Sequence, residues 1–182
     1  RQGQCLRACR GAAGGEVLVE DWPVLLVEDH VEGEELTGRS LRAVGAFRAL
    51  PREAKERVLD LFRPEVPFLD LSHGEDEEED VAAFDDEERD MLQVLGVNGI
   101  SVPGDRTGLY LTACRANHDC RPCAKHSVDA SGRLELVALR PIDAGEEVTV
   151  SYLSDADLLR PIPWRRKMLS LTWDFQCRCE RC

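Results

Sequence analysis

Long apolar runs, basic clusters and aromatic residues are all scarce in this chain. No stretch approaches the ~18 consecutive apolar residues of a membrane span, and the N-terminus lacks the apolar core of a signal peptide, so no membrane partner is expected. Aromatic residues make up 5% of the sequence, and no basic patch is interleaved with them. This pattern argues against direct binding to nucleic acid. No internal repeat is visible either.

The chain has 182 residues, of which 43% are hydrophobic and 32% charged. That composition is typical of a soluble globular protein, and the length fits a single domain that buries most of the surface exposed by its unfolded chain. The sequence starts at Arg1 rather than at a methionine and ends at Cys182, inside a cysteine cluster. We therefore expect a domain that is part of a longer protein.

The formal net charge of −12 comes mostly from one stretch. Residues 75–90 include eleven acidic residues and a single basic residue, Arg89, whereas the rest of the chain carries 24 acidic and 22 basic residues. An exposed acidic segment repels polyanions and attracts cationic partners. The alternative interpretation is a solvated loop with no partner.

Eight cysteines are present, and three of them form a C-x-C-x2-C cluster at Cys177, Cys179 and Cys182. Disulfides are one interpretation of an even count, but a chain of this length has enough core without them. Closely spaced cysteines converge more readily on a metal ion than on each other, and a structural zinc site takes four ligands. The sequence therefore predicts a zinc site whose fourth ligand comes from upstream. It also predicts a reducing compartment, which means the nucleus or the cytoplasm.

Short apolar runs on both sides of a helical middle third predict strands. The candidate strands cover residues 16–20, 24–27, 108–111, 134–139 and 147–152. Alternation in the last of these places Val148, Val150 and Tyr152 on one face. A turn is expected at residues 143–145, just before that strand.

Apolar residues at three-to-four spacing predict a helix over residues 49–62, with Pro51 in its first turn. A second helix is predicted over residues 86–95, with Asp85 as its N-cap, Glu88 completing a capping box and Gly96 beyond its end. A third helix, over residues 164–171, leads into the cysteine cluster.

Several short motifs recur in a recognisable order. Residues 3–8 read G-Q-C-L-R-A, 15–17 read G-E-V, 98–101 read N-G-I-S and 108–110 read G-L-Y. Residues 117–123 read N-H-D-C-R-P-C, residues 145–152 read G-E-E-V-T-V-S-Y, and Phe175 precedes the terminal cysteines. Each motif alone has an ordinary explanation, such as loop residues near a turn. Together and in this order they resemble a SET-domain protein lysine methyltransferase, specifically the SET-and-MYND (SMYD-type) branch.

The resemblance implies an α+β, mostly β fold: a SET-domain (β-clip) framework with a helical insert and a C-terminal post-SET zinc-binding tail. It places the SET domain at residues 1–172, with the helical and acidic insert at about 40–95, and the post-SET cysteine cluster at residues 173–182. No MYND finger is expected in this segment, because no cysteine lies between Cys9 and Cys114.

The resemblance also implies transfer of a methyl group from S-adenosyl-L-methionine to a lysine amine of a protein. Tyr152 matches the catalytic tyrosine of the family, and several other positions match residues that hold the cofactor. In this sequence those positions are Gln4, Cys5, Arg7, Asn98, Asn117, His118, Tyr152 and Phe175. The expected partner is a protein with a basic, lysine-containing segment, such as a histone.

For the metal, the resemblance supplies Cys120 as the ligand that joins Cys177, Cys179 and Cys182 around one structural zinc. Cys114 and Cys123 are rival ligands by proximity in sequence. Cys5 and Cys9 remain as buried apolar residues or free thiols. The zinc would tie the C-terminal segment, with Phe175, over the loop that carries Asn117 and His118.

Two departures from the family pattern favour an alternative function. Cys123 stands where the family has an asparagine that ties down the loop, and Cys5 replaces the second glycine of the G-x-G motif. The alternative is a catalytically impaired SET-fold protein-interaction module that retains its structural zinc. A third hypothesis, a nucleic-acid-binding zinc ribbon, requires a basic surface that the sequence lacks.

Overall fold

The computed structural model describes residues 4–31, 38–64 and 84–182. The chain divides into two compact units, each of which is built from more than one stretch of sequence. The first unit comprises Arg1–Asp21, Thr112–Val128 and Arg133–Cys182, and the second comprises Trp22–Leu111 and Asp129–Gly132. Most of the acidic stretch 75–90 lies outside the described residues.

Three small sheets and five helices are assigned in the described ranges. In chain order they are β1 (Val17–Asp21), β2 (Leu25–Glu28), α1 (Gly38–Arg48), α2 (Arg52–Leu59), α3 (Asp86–Asn98), β3 (Ile100–Val102), β4 (Arg106–Leu109), β5 (Asn117–His118), β6 (Ala124–Val128), β7 (Leu134–Ala138), β8 (Thr149–Val150), α4 (Asp155–Leu158) and α5 (Ile162–Trp173). A short 3-10 turn, Ala113–Arg115, precedes β5. None of the helices in the described ranges has the length and apolar character needed to cross a bilayer.

The second unit packs three helices against a small antiparallel sheet in the order β2-β4-β3. The predicted strand at residues 24–27 is confirmed, and its alternation buries Leu25 and Val27, each 2% exposed. α1 packs on β2 and on α3, and α2 packs on α3. The apolar face of α1, with Ala43, Val44 and Phe47, is buried. Burial of these side chains is the main favourable contribution to the stability of this unit.

The helix predicted over residues 49–62 is shorter, and a second helix that was not expected precedes it. Pro51 is the N-cap of α2 rather than a residue of its first turn, and the chain turns between Arg48 and Pro51. α1 was missed because it contains Gly38 and Gly45, and glycine lowers helix propensity. Its buried face stabilises the helix despite this composition.

The start of α3 was predicted correctly, and its end was not. Asp85 accepts a hydrogen bond from the backbone N–H of Glu88, and the Glu88 carboxylate accepts one from the N–H of Asp85, which is the expected capping box. The helix continues through Gly96 to Asn98, with Gly99 as the C-cap. Burial of Val97 against the core outweighs the low propensity of a single glycine.

The first unit contains an antiparallel sheet in the order β1-β7-β6 and a short parallel pair, β5-β8. The predicted strand at 134–139 is confirmed as β7, in which Leu134, Leu136 and Ala138 are buried. β6 was missed, since its sequence A-K-H-S-V has little apolar alternation. In the predicted strand 147–152, ladder pairing is limited to Thr149 and Val150, and Tyr152 lies in a bend beyond the strand.

The N-terminal segment pairs with the stretch that leads into β8. Ala8 N–H donates to Glu146 O (2.9 Å), and Val148 N–H donates to Leu6 O (2.9 Å). The predicted turn at 143–145 is confirmed. Gly145 has φ +83°, a backbone conformation that residues other than glycine rarely adopt. This pairing places residues 4–8 alongside the strand that precedes Tyr152.

Candidate active site and metal centre

Two parallel two-residue strands bring the most informative motifs together. In the β5-β8 pair, Asn117 lies opposite Thr149 and His118 lies opposite Val150. Asp119 N–H extends the pairing by donating to Val150 O at 2.9 Å. Stretches more than 30 residues apart in sequence therefore run side by side, and the chain emerges from both at the same end.

Tyr152 is held at that end by both its backbone and its hydroxyl. Its backbone N–H donates to His118 Nδ1 (3.0 Å), and its hydroxyl donates to Ala116 O (3.0 Å). The Tyr152 ring is partly buried, with its centroid 5.4 Å from that of His118. The hydroxyl is therefore placed next to the backbone of the Asn117-His118 strand.

Aromatic side chains from the C-terminal segment complete this cluster. The Tyr152 ring lies 5.2 Å from Trp173 and 6.3 Å from Phe175, the latter in an edge-on arrangement, and Phe175 lies 6.0 Å from His118. Such tilted and edge-on pairs are the geometries that aromatic rings prefer. Asp174, the C-cap of α5, has φ +50°, which ends the helix and turns the chain into Phe175.

Both ring nitrogens of His118 are engaged within the chain. Nδ1 accepts the Tyr152 N–H, so the neutral ring carries its proton on Nε2, which lies 3.3 Å from Cys120 Sγ. Burial lowers the pKa of His118 to about 4, so the ring is neutral at physiological pH. His118 therefore links the Tyr152 backbone to Cys120.

The other predicted cofactor residues of this unit lie on the same strands or beside them. Asn117 Nδ2 donates to Glu147 Oε1 (2.7 Å), which orients the amide. Arg7 forms an isolated antiparallel bridge with Glu147, and its guanidinium donates to Gly145 O (2.9 Å). Gln4 is exposed and Cys5 is half-buried.

Asn98 belongs to the second unit, where it is the last residue of α3. Its side-chain nitrogen donates to Val94 O (2.8 Å) and to Phe62 O (2.6 Å). These bonds stabilise the end of the helix. A cofactor contact by Asn98 stays a prediction.

Four cysteine sulfurs meet beside the aromatic cluster. The Sγ atoms of Cys120, Cys177, Cys179 and Cys182 all lie within 4.8 Å of one another, with Cys120 4.0 Å from Cys177 and 3.6 Å from Cys182. A tetrahedron with zinc–sulfur distances of about 2.3 Å has edges of about 3.8 Å. The four thiols therefore fit a structural zinc site, and they are the four that the resemblance implies. In the ranges that the structure describes, no other group of three or more such residues converges.

The thiols sit in a setting that disfavours charge unless something compensates it. Burial raises the pKa of Cys120 to about 11 and also raises that of Cys177. Burial acts in the same direction on Cys182, but hydrogen bonds from Arg165 and from neighbouring thiols outweigh it and lower the pKa of Cys182. Zinc binds thiolates, so a bound metal ion supplies the missing compensation.

Three arginines that the sequence analysis missed anchor the terminal segment. Arg166 donates to Cys177 O (3.1 Å) and Cys182 O (2.9 Å), and Arg181 donates to Cys120 O (3.0 Å) and Leu158 O (2.7 Å). Arg165, in the same helix as Arg166, is buried beside the sulfurs. In the sequence, the only indication of this role was that Arg165 and Arg166 lie in the predicted helix that leads to the cysteine cluster.

The rival cysteine Cys123 has a different role from the metal ligands. It is fully buried, its Sγ accepts the Thr149 N–H (3.2 Å), and it contacts Glu147 O (3.5 Å). The thiol thus ties the loop to the β8 segment, which is the task that the resemblance implies for an asparagine at this position. Cys9 is exposed rather than buried, and Cys5 is half-buried; both are free thiols.

Comparison with known proteins identifies the family. The model of the SET domain matches residues 3–153. A crystal structure of the SET domain of LSMT bound to lysine and AdoHcy aligns with 95% of this chain and 50% of that one, at a TM-score of 0.56 and 14% identity. The chain belongs to the SET-domain family, and the fold agrees with the framework and cysteine-bearing tail expected from sequence.

Several of its sequence relatives are SMYD-type proteins. It is 35% identical over 83 residues to a SET and MYND domain-containing protein of Dictyostelium discoideum, covering 46% of this chain and 23% of that protein. It is 39% identical over 77 residues to the protein-lysine N-trimethyltransferase SMYD5 of Gallus gallus, covering 42% of this chain and 18% of that protein. It is 42% identical over 76 residues to the histone-lysine N-methyltransferase SMYD3 of Mus musculus, covering 41% of this chain and 17% of that protein. The chain thus spans less than a quarter of the length of each of these relatives.

Proposed function

We propose that this chain is an S-adenosyl-L-methionine-dependent protein-lysine N-methyltransferase. The observation that carries the proposal is the position of Tyr152, whose hydroxyl lies 3.0 Å from Ala116 O and whose ring packs against the rings of His118, Trp173 and Phe175. Membership of the SET-domain family and similarity to proteins named as lysine methyltransferases support it.

The chemistry needs orientation more than bond-making groups from the protein. When bound, S-adenosylmethionine supplies a methyl group on a positively charged sulfur. Tyr152 orients the attacking lysine amine through its hydroxyl, which is itself fixed by Ala116 O and by the packed ring. A preorganised polar group at the point of transfer lowers the barrier because it needs no rearrangement during the reaction.

The cofactor pocket is assigned to the strands that meet at Tyr152. Asn117, with its amide held by Glu147, contacts the cofactor, and Phe175 packs on its adenine. Both ring nitrogens of His118 already contact Tyr152 and Cys120, so His118 contacts the cofactor through atoms other than these two nitrogens. Gln4, Cys5 and Arg7 contribute from the N-terminal segment that pairs with residues 145–148.

The zinc stabilises one wall of this pocket. Cys177, Cys179 and Cys182 follow Phe175 directly, and Cys120 follows His118 by two residues. A metal ion bound to all four thiols would hold Phe175 against the loop that carries Asn117 and His118. Loss of zinc would therefore weaken cofactor binding, because site and fold are coupled.

The domain boundaries and partners follow from the same assignment. We propose residues 1–172 as the SET domain, with about 40–95 as its insert, and residues 173–182 as the post-SET segment. The substrate is a lysine in a basic segment of a protein, and a histone tail is one such segment. The acidic stretch at residues 75–90 favours a cationic partner, and the site of action is the nucleus or the cytoplasm.

Two measurements on the zinc-loaded protein test the proposal. Calorimetry with S-adenosylmethionine should show saturable binding, and radiolabelled methyl groups should appear on lysines of histones or of proteins in a cell extract. Cofactor binding without transfer to any substrate would favour the interaction module suggested by Cys5 and Cys123. Absence of cofactor binding would contradict the proposal outright.

A further inference from the structure

Arg165 is the most deeply buried basic side chain in the described part of the chain. It is 4% exposed and lies in α5, the helix that leads into the terminal cysteines. One nitrogen donates to Arg160 O (2.6 Å), and another is placed near Arg181 O (3.3 Å) and Cys182 Sγ (3.5 Å). The remaining one, Nε, is buried and has no hydrogen-bond partner among the described residues. No carboxylate is among these partners.

A buried positive charge without a carboxylate is costly unless another anion compensates it. Four thiolates around one Zn²⁺ carry a net charge of −2, which is itself costly to bury. The Cys182 sulfur lies 3.5 Å from the Arg165 guanidinium, and Cys120 and Cys177 are 2% and 3% exposed. Each of the two buried charges thus lowers the cost of burying the other.

The neighbouring Arg166 distinguishes charge compensation from simple anchoring. It donates to Cys177 O and Cys182 O, so it holds the same segment in place, but its partners are carbonyl oxygens only. Arg165 alone of the two donates to a cysteine sulfur.

We propose that Arg165 is the buried counter-charge of the zinc centre and a positioning residue that raises its affinity for the metal. The proposal depends on the zinc site and not on methyl transfer. The charged guanidinium lies 3.5 Å from the Cys182 sulfur, so it would stabilise the net negative charge of a zinc ion bound to four thiolates. Side chains that support metal ligands in this way typically contribute about 10- to 100-fold to affinity.

The test compares the zinc affinity of wild type with Arg165→Met, Arg165→Lys and the matched control Arg166→Met. Zinc dissociation constants are measured by competition with a chromophoric chelator, and the Co²⁺-substituted proteins are compared by their thiolate-to-metal absorption. Arg165→Met should weaken zinc binding about 10- to 100-fold. Arg165→Lys should recover part of that loss, because it keeps the charge. Arg166→Met should weaken zinc binding clearly less than Arg165→Met, since it removes only hydrogen bonds to backbone oxygens.

Wild-type affinity in Arg165→Met would overturn the proposal, and so would an equal loss in Arg166→Met, which would assign the effect to anchoring of the segment. Should Arg165→Met fail to fold, Arg165→Gln and Arg165→Lys provide the same contrast, and equal zinc affinities in that pair would also overturn it. A wild-type protein that binds no zinc would remove both this proposal and the metal site. None of these outcomes depends on activity, so failure of methyl transfer is a separate result.

Discussion

The substitution Tyr152→Phe removes one oxygen atom from the centre of the candidate site. The ring contacts with His118, Trp173 and Phe175 are retained, since phenylalanine has the same ring. What is lost is the hydrogen bond that the Tyr152 hydroxyl donates to Ala116 O at 3.0 Å. Ala116 is only 1% exposed, so water cannot readily replace this bond. The variant therefore isolates the role of the hydroxyl from that of the aromatic packing.

The expected cost in stability is modest. A buried hydrogen bond contributes about 0.5–1.5 kcal/mol, and an unpaired buried carbonyl costs about 1–3 kcal/mol. We expect the free energy of unfolding to fall by about 1–2 kcal/mol, measured by chemical denaturation, and cofactor affinity to change by less than about threefold, measured by calorimetry.

The expected cost in methyl transfer is much larger. Removing a preorganised polar group from the reacting centre typically lowers kcat by about 100- to 1000-fold, or about 2.7–4 kcal/mol of barrier. Single-turnover transfer of labelled methyl groups at saturating cofactor measures this loss directly.

Tyr110→Phe is the matched control for this experiment. Tyr110 is the other tyrosine of the chain and is 0% exposed. Its hydroxyl donates a hydrogen bond to Gly132 O at 2.8 Å within the second unit. It should lose a similar amount of stability and keep wild-type transfer. Unchanged turnover in Tyr152→Phe, or an equal loss in both variants, would refute the role assigned to Tyr152.

Two further substitutions test the metal centre and the adjoining loop. Cys120→Ser replaces a thiolate ligand with a hydroxyl that binds zinc far more weakly, so the zinc-to-protein ratio measured after chelator challenge should fall. The control Cys114→Ser lies outside the sulfur cluster and should keep its zinc. Equal ratios in the two variants would remove Cys120 from the site. Cys123→Ala should lower the free energy of unfolding by about 1–3 kcal/mol, because the Thr149 N–H loses its buried acceptor. Cys123→Ser should lose less stability, because its oxygen can accept that hydrogen bond. Equal stabilities of the alanine and serine variants would contradict this account.

Cys123 also bears on the choice between an enzyme and an interaction module. From sequence, a cysteine in place of the asparagine that ties down the loop favoured an impaired interaction module. The structure shows the thiol with 0% exposure and bonded to the β8 segment, so the loop is held by a different atom. The remaining departure, Cys5, lies in the N-terminal segment, whose backbone pairing at Leu6 and Ala8 is intact.

Local sequence patterns determined much of the fold. Short apolar runs identified β2 and β7, the Asp85–Glu88 pair identified the start of α3, and the spacing of the terminal cysteines indicated a metal site. These signals are short in range, because they arise from periodicity, capping and ligand spacing within a few residues. Where local propensity and tertiary packing disagreed, as in α1 and at the end of α3, packing prevailed.

Only the tertiary structure decided how the separate stretches meet. The order of the motifs and their resemblance to a family indicated that Cys120 would join the terminal cysteines, but nothing local predicts the 3.6 Å between its sulfur and that of Cys182. The same holds for the engagement of both His118 nitrogens and for the buried position of Arg165. Contacts such as those of Tyr152 with His118 and of Cys120 with Cys182, 34 and 62 positions apart, depend on how sheets and helices pack, and that packing is a property of the whole chain rather than of any segment.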